Sequence, residues 1–201
     1  MLRLSIDNSA SKLYNEIYRK SSYMKQLFTM DTQDYDPNWP RFYRPSVRGI
    51  IIDSDHKITL IYSKKYHFYK IPGGGIESNE SHLATLLREV KEETGLAVIP
   101  ASIQEFGEVT RICKSGQFKD TIFVQQNYYY TCQTDGKIGK QHLDPEEENA
   151  EFILQKTSLD EAINKNLSFI SNNELCTDDF VKDMINREYM VLKLLKESQS
   201  F

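Results

Sequence analysis

The stretch GGIESNESHLATLLREVKEETGL, residues 74–96, gathers Glu80, Glu89, Glu92, Glu93 and a single arginine, Arg88, around one short helix. Over residues 81–94 the apolar positions Leu83, Leu86, Leu87 and Val90 recur at three- and four-residue steps, the spacing of an amphipathic helix facing a core. Asn79 or Ser81 is placed to cap its start, and Gly95 lies just past the last turn, where a left-handed residue ends helices. At about 100° per residue, Glu89, Glu92 and Glu93 share one sector of the surface, roughly 100° from the centre of the apolar stripe. Three like charges so close repel one another and oppose the helix dipole at its C-terminal end. A hard divalent cation such as Mg²⁺ or Mn²⁺, which prefers oxygen ligands and bridges carboxylates to substrate phosphates, removes that repulsion. The plainer reading is a solvated acidic face, helped by Arg88 and Lys91.

The flanking residues decide between the two. A β-type run over residues 66–71 leads into Pro72-Gly73-Gly74-Gly75, where successive glycines allow a close backbone approach to a ligand, and this loop feeds straight into the acidic helix. Gly74, five residues, Glu80, seven residues and then Arg88-Glu89-Val90-Lys91-Glu92-Glu93-Thr94-Gly95-Leu96 resemble a complete Nudix box, G-x5-E-x7-R-E-U-x-E-E-x-G-U, with no position departing from it.

The resemblance implies a metal-dependent hydrolase of the Nudix (MutT-like) family. Glu89, Glu92 and Glu93 would hold Mg²⁺ or Mn²⁺, with a backbone carbonyl of Gly73 or Gly74. Arg88 would orient a neighbouring glutamate, and Gly74, Glu80 and Gly95 would support the box. The general base in such enzymes is a box glutamate, matching Glu93 or Glu89, or a glutamate from a downstream loop. Glu147, Glu148 and Glu151, in the acidic segment 144–151, are therefore candidates for an additional ligand or base, against the alternative of a solvated loop.

The implied substrate is a nucleoside-diphosphate derivative: a nucleoside triphosphate, a nucleotide sugar, ADP-ribose or a dinucleotide polyphosphate. The box itself does not choose among them. Arg44, Arg48 and Arg111 are candidates to neutralise phosphates. Tyr128 and Tyr130 alternate onto one face of a predicted strand and are candidates to stack on a base, although aromatic residues there also suit core packing. A non-catalytic nucleotide-sensing module is the alternative class, and the intact carboxylate set speaks against it.

The chain has 201 residues, enough for one domain with additions, and its formal charge of −4 disfavours broad nucleic-acid binding, which needs a basic face. Cys113, Cys132 and Cys176 are odd in number and widely spaced, as expected of reduced structural thiols. The first residues lack a signal-peptide core and no run approaches the ~20 apolar residues of a membrane span, so a cytoplasmic enzyme is expected.

Residues 1–43 read as an N-terminal extension, with a helix over 9–28 carrying Leu13, Tyr14, Ile17, Tyr18 and Leu27, then a turn-rich segment, 31–40. It could cover the sheet, wall the substrate site or join two subunits, which leaves a homodimer open. From residue 44 to 201 the expected order is strands over 46–53 and 58–63, the box helix, strands near 103–113, 121–132 and 151–155, a helix opened by Ser158, and a last helix over 177–198. That order resembles the Nudix α/β/α sandwich around a mixed sheet, an α/β fold.

Overall fold

The computed structural model describes residues 24–172 and 178–198. Strands β1 (Gln26–Asp31), β2 (Arg41–Tyr43), β3 (Ser46–Ile52), β4 (Ile58–Ser63), β5 (Tyr69–Lys70), β6 (Gln104–Lys114), β7 (Ile122–Cys132) and β8 (Phe152–Thr157) form one sheet. Four helices accompany them: α1 (His82–Thr94), α2 (Pro145–Asn149), α3 (Leu159–Ser171) and α4 (Asp179–Ser198). The hydrogen-bonded order is β1-β6-β7-β3-β4-β5, with β2 also on β7 and β8 also on β4. The sheet is mixed, because β1 runs parallel to β6 and both β2 and β3 run parallel to β7, while the other pairs are antiparallel.

Alternation along the central strands divides the core between the two faces of the sheet. Val47, Ile51, Tyr128 and Tyr130 pack with Leu86 and Val90 of α1. Ile50 and Tyr129 pack with Leu159 and Ala162 of α3 and with Val191, Leu192 and Leu195 of α4. The chain is thus an α/β/α sandwich with the box helix on one face. No helix among the described residues is long and apolar enough to cross a membrane.

Three expectations change. The helix over 9–28 lies mostly outside the described residues, but Leu27 and Phe28 belong to β1, where both pack partly buried against the core under α3 and α4. Strand pairing to β6 therefore replaces helix at that end, and β1 and β2 extend the main sheet. The β-type run over 66–71 yields only Tyr69–Lys70 as strand. Before it the chain turns, with His67 at φ 63 and its N–H donated to Ser63 O at 2.8 Å. Finally, α1 is rotated relative to its leucine stripe: Leu83 is 49% exposed, whereas Thr85, Glu93 and Thr94 are buried.

Helix α1 starts and stops as its ends predict. The Ser81 hydroxyl accepts the Ala84 N–H at 3.2 Å, and Gly95, at φ 73, donates its N–H to Lys91 O at 2.9 Å. Arg88 staples the helix to the preceding loop by giving Nε and Nη2 to the two oxygens of Glu80, at 2.9 and 2.8 Å, and Nη2 to Gly75 O at 3.2 Å.

Beyond β5 the chain continues beside β3 instead of leaving the sheet. Gly49 N–H donates to Pro72 O at 2.8 Å, Val47 N–H to Gly74 O at 2.9 Å and Ile76 N–H to Pro45 O at 3.0 Å. Gly73 adopts φ 138, a conformation side chains resist, and a methyl group there would overlap the Val47 carbonyl oxygen. Gly73→Ala should therefore cost on the order of 3 kcal/mol. Gly116→Ala, at a site with no neighbour within 4 Å, should leave the melting temperature close to wild type. Equal melting temperatures for the two variants would contradict this packing.

The Arg88 guanidinium holds the Glu80 carboxyl down, from 4.5 to about 2. A carboxyl depressed in the folded state stabilises fully above its unfolded pKa and loses that contribution as pH falls through its folded pKa. The melting-temperature advantage of wild type over Glu80→Gln should accordingly be complete above pH 4.5 and vanish towards pH 2. A pH-independent difference would mean that the ion pair contributes nothing.

Candidate active site

The carboxylates of α1 enter three different environments. Glu93 is 2% exposed; its Oε2 accepts the Gly73 N–H at 2.8 Å and its Oε1 accepts Lys70 Nζ at 2.6 Å. Glu89 packs against the loop, since a methyl group on Gly74 would overlap its carboxylate, and its Oε1 accepts Arg88 Nη1 at 2.7 Å. Glu92 is the outermost, accepting the same Nη1 at 3.1 Å. The expected common sector therefore becomes a graded row, with each acid already facing a cation.

Burial sets the electrostatics. It pushes the Glu93 carboxyl up, to about 7, the neighbouring Glu147 adding to the effect and Lys70 opposing it. Burial likewise raises Glu89, against the pull of Arg88. Glu147 shifts the other way: burial raises it, but hydrogen bonding towards Glu93, the Lys70 charge and the Asp144 N–H outweigh burial and hold it below its ordinary value.

Of the three downstream glutamates, only Glu147 is brought to this cluster. Gln141 Nε2 donates to Glu93 O at 2.6 Å and His142 N–H to Glu92 O at 2.7 Å, so the incoming loop satisfies carbonyls that the end of α1 leaves open. Helix α2 then begins with a capping box, in which Asp144 accepts the Glu147 N–H at 2.9 Å and Glu147 Oε2 accepts the Asp144 N–H at 3.1 Å. The other oxygen of Glu147 accepts Lys70 Nζ at 3.3 Å. Glu148 and Glu151 are exposed, and Glu151 sits at φ 53 in the turn before β8.

The predicted phosphate and base contacts separate in the same way. Arg48 is buried beneath the loop, its Nη1 donating to Gly73 O and, at 3.4 Å, to Ile71 O. Arg44 is exposed, and its Nε lies 3.5 Å from the position a methyl group on Gly75 would take. Arg111 is instead enclosed by α4: it donates to Phe180 O and Asp183 Oδ2, both at 3.4 Å, and lies 4.1 Å from the centroid of the Phe180 ring. Tyr128 and Tyr130 point to the buried face beneath α1, where the His82 ring lies 4.1 Å from that of Tyr128 and His82 Nδ1 is 2.9 Å from the Tyr130 hydroxyl. Strand alternation put these two tyrosines on one face as expected, but that face is core.

Lys70 is the residue that reading the sequence missed. A lone lysine between Tyr69 and Ile71, both buried, just ahead of the glycines was the available signal. Cys113 and Cys132 are buried free thiols, and Cys176 lies outside the described residues.

The donor set is all oxygen, which suits a hard divalent cation, and the side-chain-free surface of Gly74 makes the space that Glu89 occupies. Gly74 O accepts one hydrogen bond, from Val47, and keeps a second lone pair. Among the described residues no three His, Cys, Asp or Glu side chains converge as a metal cage; Arg88 lies between Glu89 and Glu92, and Lys70 between Glu93 and Glu147.

Residues 42–172 match the family model of the NUDIX domain. The "Uncharacterized Nudix hydrolase YvcI" of Bacillus subtilis (strain 168) is 29% identical over 105 residues, which are 52% of this chain and 63% of that protein. An RNA pyrophosphohydrolase of Halorhodospira halophila (strain DSM 244 / SL1) is 33% identical over 69 residues, 34% of this chain and 37% of that protein. The chain thus spans less than two thirds of the length of either relative. Among solved structures, the mutator MutT protein from Bacillus halodurans is 22% identical, with a TM-score of 0.47, covering 61% of this chain and 72% of that one. A NUDIX hydrolase from Nitrosomonas europaea is 20% identical, with a TM-score of 0.47, covering 63% and 79%. With more than half of its length matched by the family model and the whole signature assembled around α1, the chain belongs to the Nudix family.

Proposed function

We propose that this chain is a metal-dependent hydrolase of the diphosphate linkage in a nucleoside-diphosphate derivative: a nucleoside triphosphate, a nucleotide sugar, ADP-ribose or a dinucleotide polyphosphate. The observation that carries this reading is the contact of Glu89 and Glu93, on one helix, with the backbone of Gly73-Gly74, which sets two box carboxylates beside a loop carbonyl as an all-oxygen donor set. In this reading Glu89, Glu92 and Glu93 hold Mg²⁺ or Mn²⁺, with Gly74 O as the backbone donor. Bound there, the ion neutralises phosphate oxygens and lowers the pKa of water.

The remaining roles belong to the protein. Arg88 and Glu80 orient the acids, with Gly95 ending the helix that carries them. Proton acceptance falls to Glu93 or Glu89, and Glu147 stands where a downstream base is expected. Arg44, exposed beside Gly75, is the arginine best placed to meet substrate phosphate. We assign the hydrolase to residues 44–201, with β1 and β2 of the 1–43 extension completing its sheet. A cytoplasmic location accompanies this assignment.

Glu93→Gln and, to a similar or lesser degree, Glu89→Gln should lower turnover by about 10²-fold or more while leaving far-UV circular dichroism unchanged. EDTA should abolish turnover, and added Mg²⁺ or Mn²⁺ should restore it. The measurement is phosphate or pyrophosphate release from a panel of the four substrate classes plus triphosphorylated RNA, included because of the Halorhodospira relative. Wild-type rates in the Gln variants would remove the chemistry from α1. Nucleotide binding without turnover on the whole panel would favour a sensing module instead.

A further inference from the structure

The polar interior of the protein is concentrated where α4 crosses the sheet. Arg187 and Glu188 are 1% and 0% exposed, although they interrupt the apolar stripe that places α4 on the core. Glu188 Oε1 accepts Arg187 Nη2 at 2.7 Å and Nε at 3.3 Å. Arg187 Nη1 donates to Asn127 Oδ1 at 2.7 Å and to Gln125 Oε1 at 3.0 Å, and Asn127 Oδ1 also accepts Ser46 Oγ at 2.7 Å. The pair is therefore locked to both β3 and β7.

The second oxygen of Glu188 goes elsewhere: Oε2 accepts the backbone N–H of Ile71 at 3.0 Å. Pro72 has no N–H, so the next donor along the chain is Gly73, whose N–H goes to Glu93 Oε2 at 2.8 Å. Two consecutive donors of the glycine loop thus end on buried glutamates carried by helices on opposite faces of the sheet, α4 and α1. Hydrogen bonds from N–H to a carboxylate are stronger than neutral ones, and a fully satisfied buried network favours one arrangement over its alternatives.

We propose that Glu188, fixed by Arg187, is a positioning residue for the hydrolytic site: it anchors the Ile71 peptide and, through the rigid Pro72, sets Gly73 against Glu93 and Gly74 against Glu89. The proposal rests on the hydrolase reading above. Partners that orient groups at a reaction centre without touching substrate are typically worth roughly 10- to 100-fold in activity.

Two double variants isolate the bond. Arg187→Met/Glu188→Gln and Arg187→Met/Glu188→Met both lack the ion pair and have similar side-chain volumes, but only the first keeps an acceptor for Ile71 N–H. The Gln variant should retain kcat within a few-fold of wild type, and the Met variant should lose roughly 10- to 100-fold in kcat with KM little changed. Equal kcat in the two folded variants would overturn the proposal.

Amide hydrogen exchange of the wild-type chain, read by NMR, decides the same coupling without catalysis, and so still applies if the variants do not fold or if wild type is inert on the substrate panel. Ile71 and Gly73 should exchange together with the amides of α4 around Arg187. Exchange of Ile71 faster than those amides would overturn the coupling, whereas inertness of wild type would count against the hydrolase reading alone.

Discussion

The rest of the structure depends on a peptide segment held tightly because it has almost no side chains. Between β5 and α1, the carbonyls of Pro72 and Gly74 go to β3, the carbonyls of Ile71 and Gly73 go to Arg48, and the N–H groups of Ile71 and Gly73 go to Glu188 and Glu93. These six polar groups meet partners on strands or helices that are themselves buried, which narrows the path open to the loop. The helix that follows inherits its position from that path, and so do the acids it carries.

Local signals made much of this legible. The cap at Ser81, the left-handed Gly95 and the period of Leu86 and Val90 are short-range properties, and the helix they predict is the helix observed. The hairpin of β3 and β4, the long β6 and β7 pair and the last helix were likewise written in alternation and periodicity. The element at the end of the N-terminal extension was not, because Leu27 and Phe28 fit either an apolar helix face or a strand, and only pairing with β6, some eighty residues away, selects the strand.

The site was legible in its residues but not in its wiring. Glu89, Glu92 and Glu93 look equivalent at helical spacing, yet tertiary packing rotates Glu93 into the interior and leaves Glu92 at the rim. Arg111 and Arg48 carry the same charge on β6 and β3, the two strands that flank β7; one is enclosed by Phe180 and Asp183, the other by loop carbonyls. Nothing within a few residues of either distinguishes them. Arg187 and Glu188 carry no local mark of their burial either, since their partners Asn127, Gln125 and Ile71 are remote in the chain.

The ammonium of Lys70 and the guanidinium of Arg88 give each box carboxylate of α1 a cationic partner from the polypeptide itself. Small metalloproteins whose ligands have no such internal partners stay unfolded until the ion arrives. Here the box carboxylates have partners within the chain itself, so the placing of α1 against its loop does not wait on an ion to offset their repulsion. In the proposed hydrolase, a divalent ion on Glu89, Glu92 and Glu93 would take the place of Lys70 and Arg88 at these oxygens, so its uptake would be an exchange of cations at a site already built.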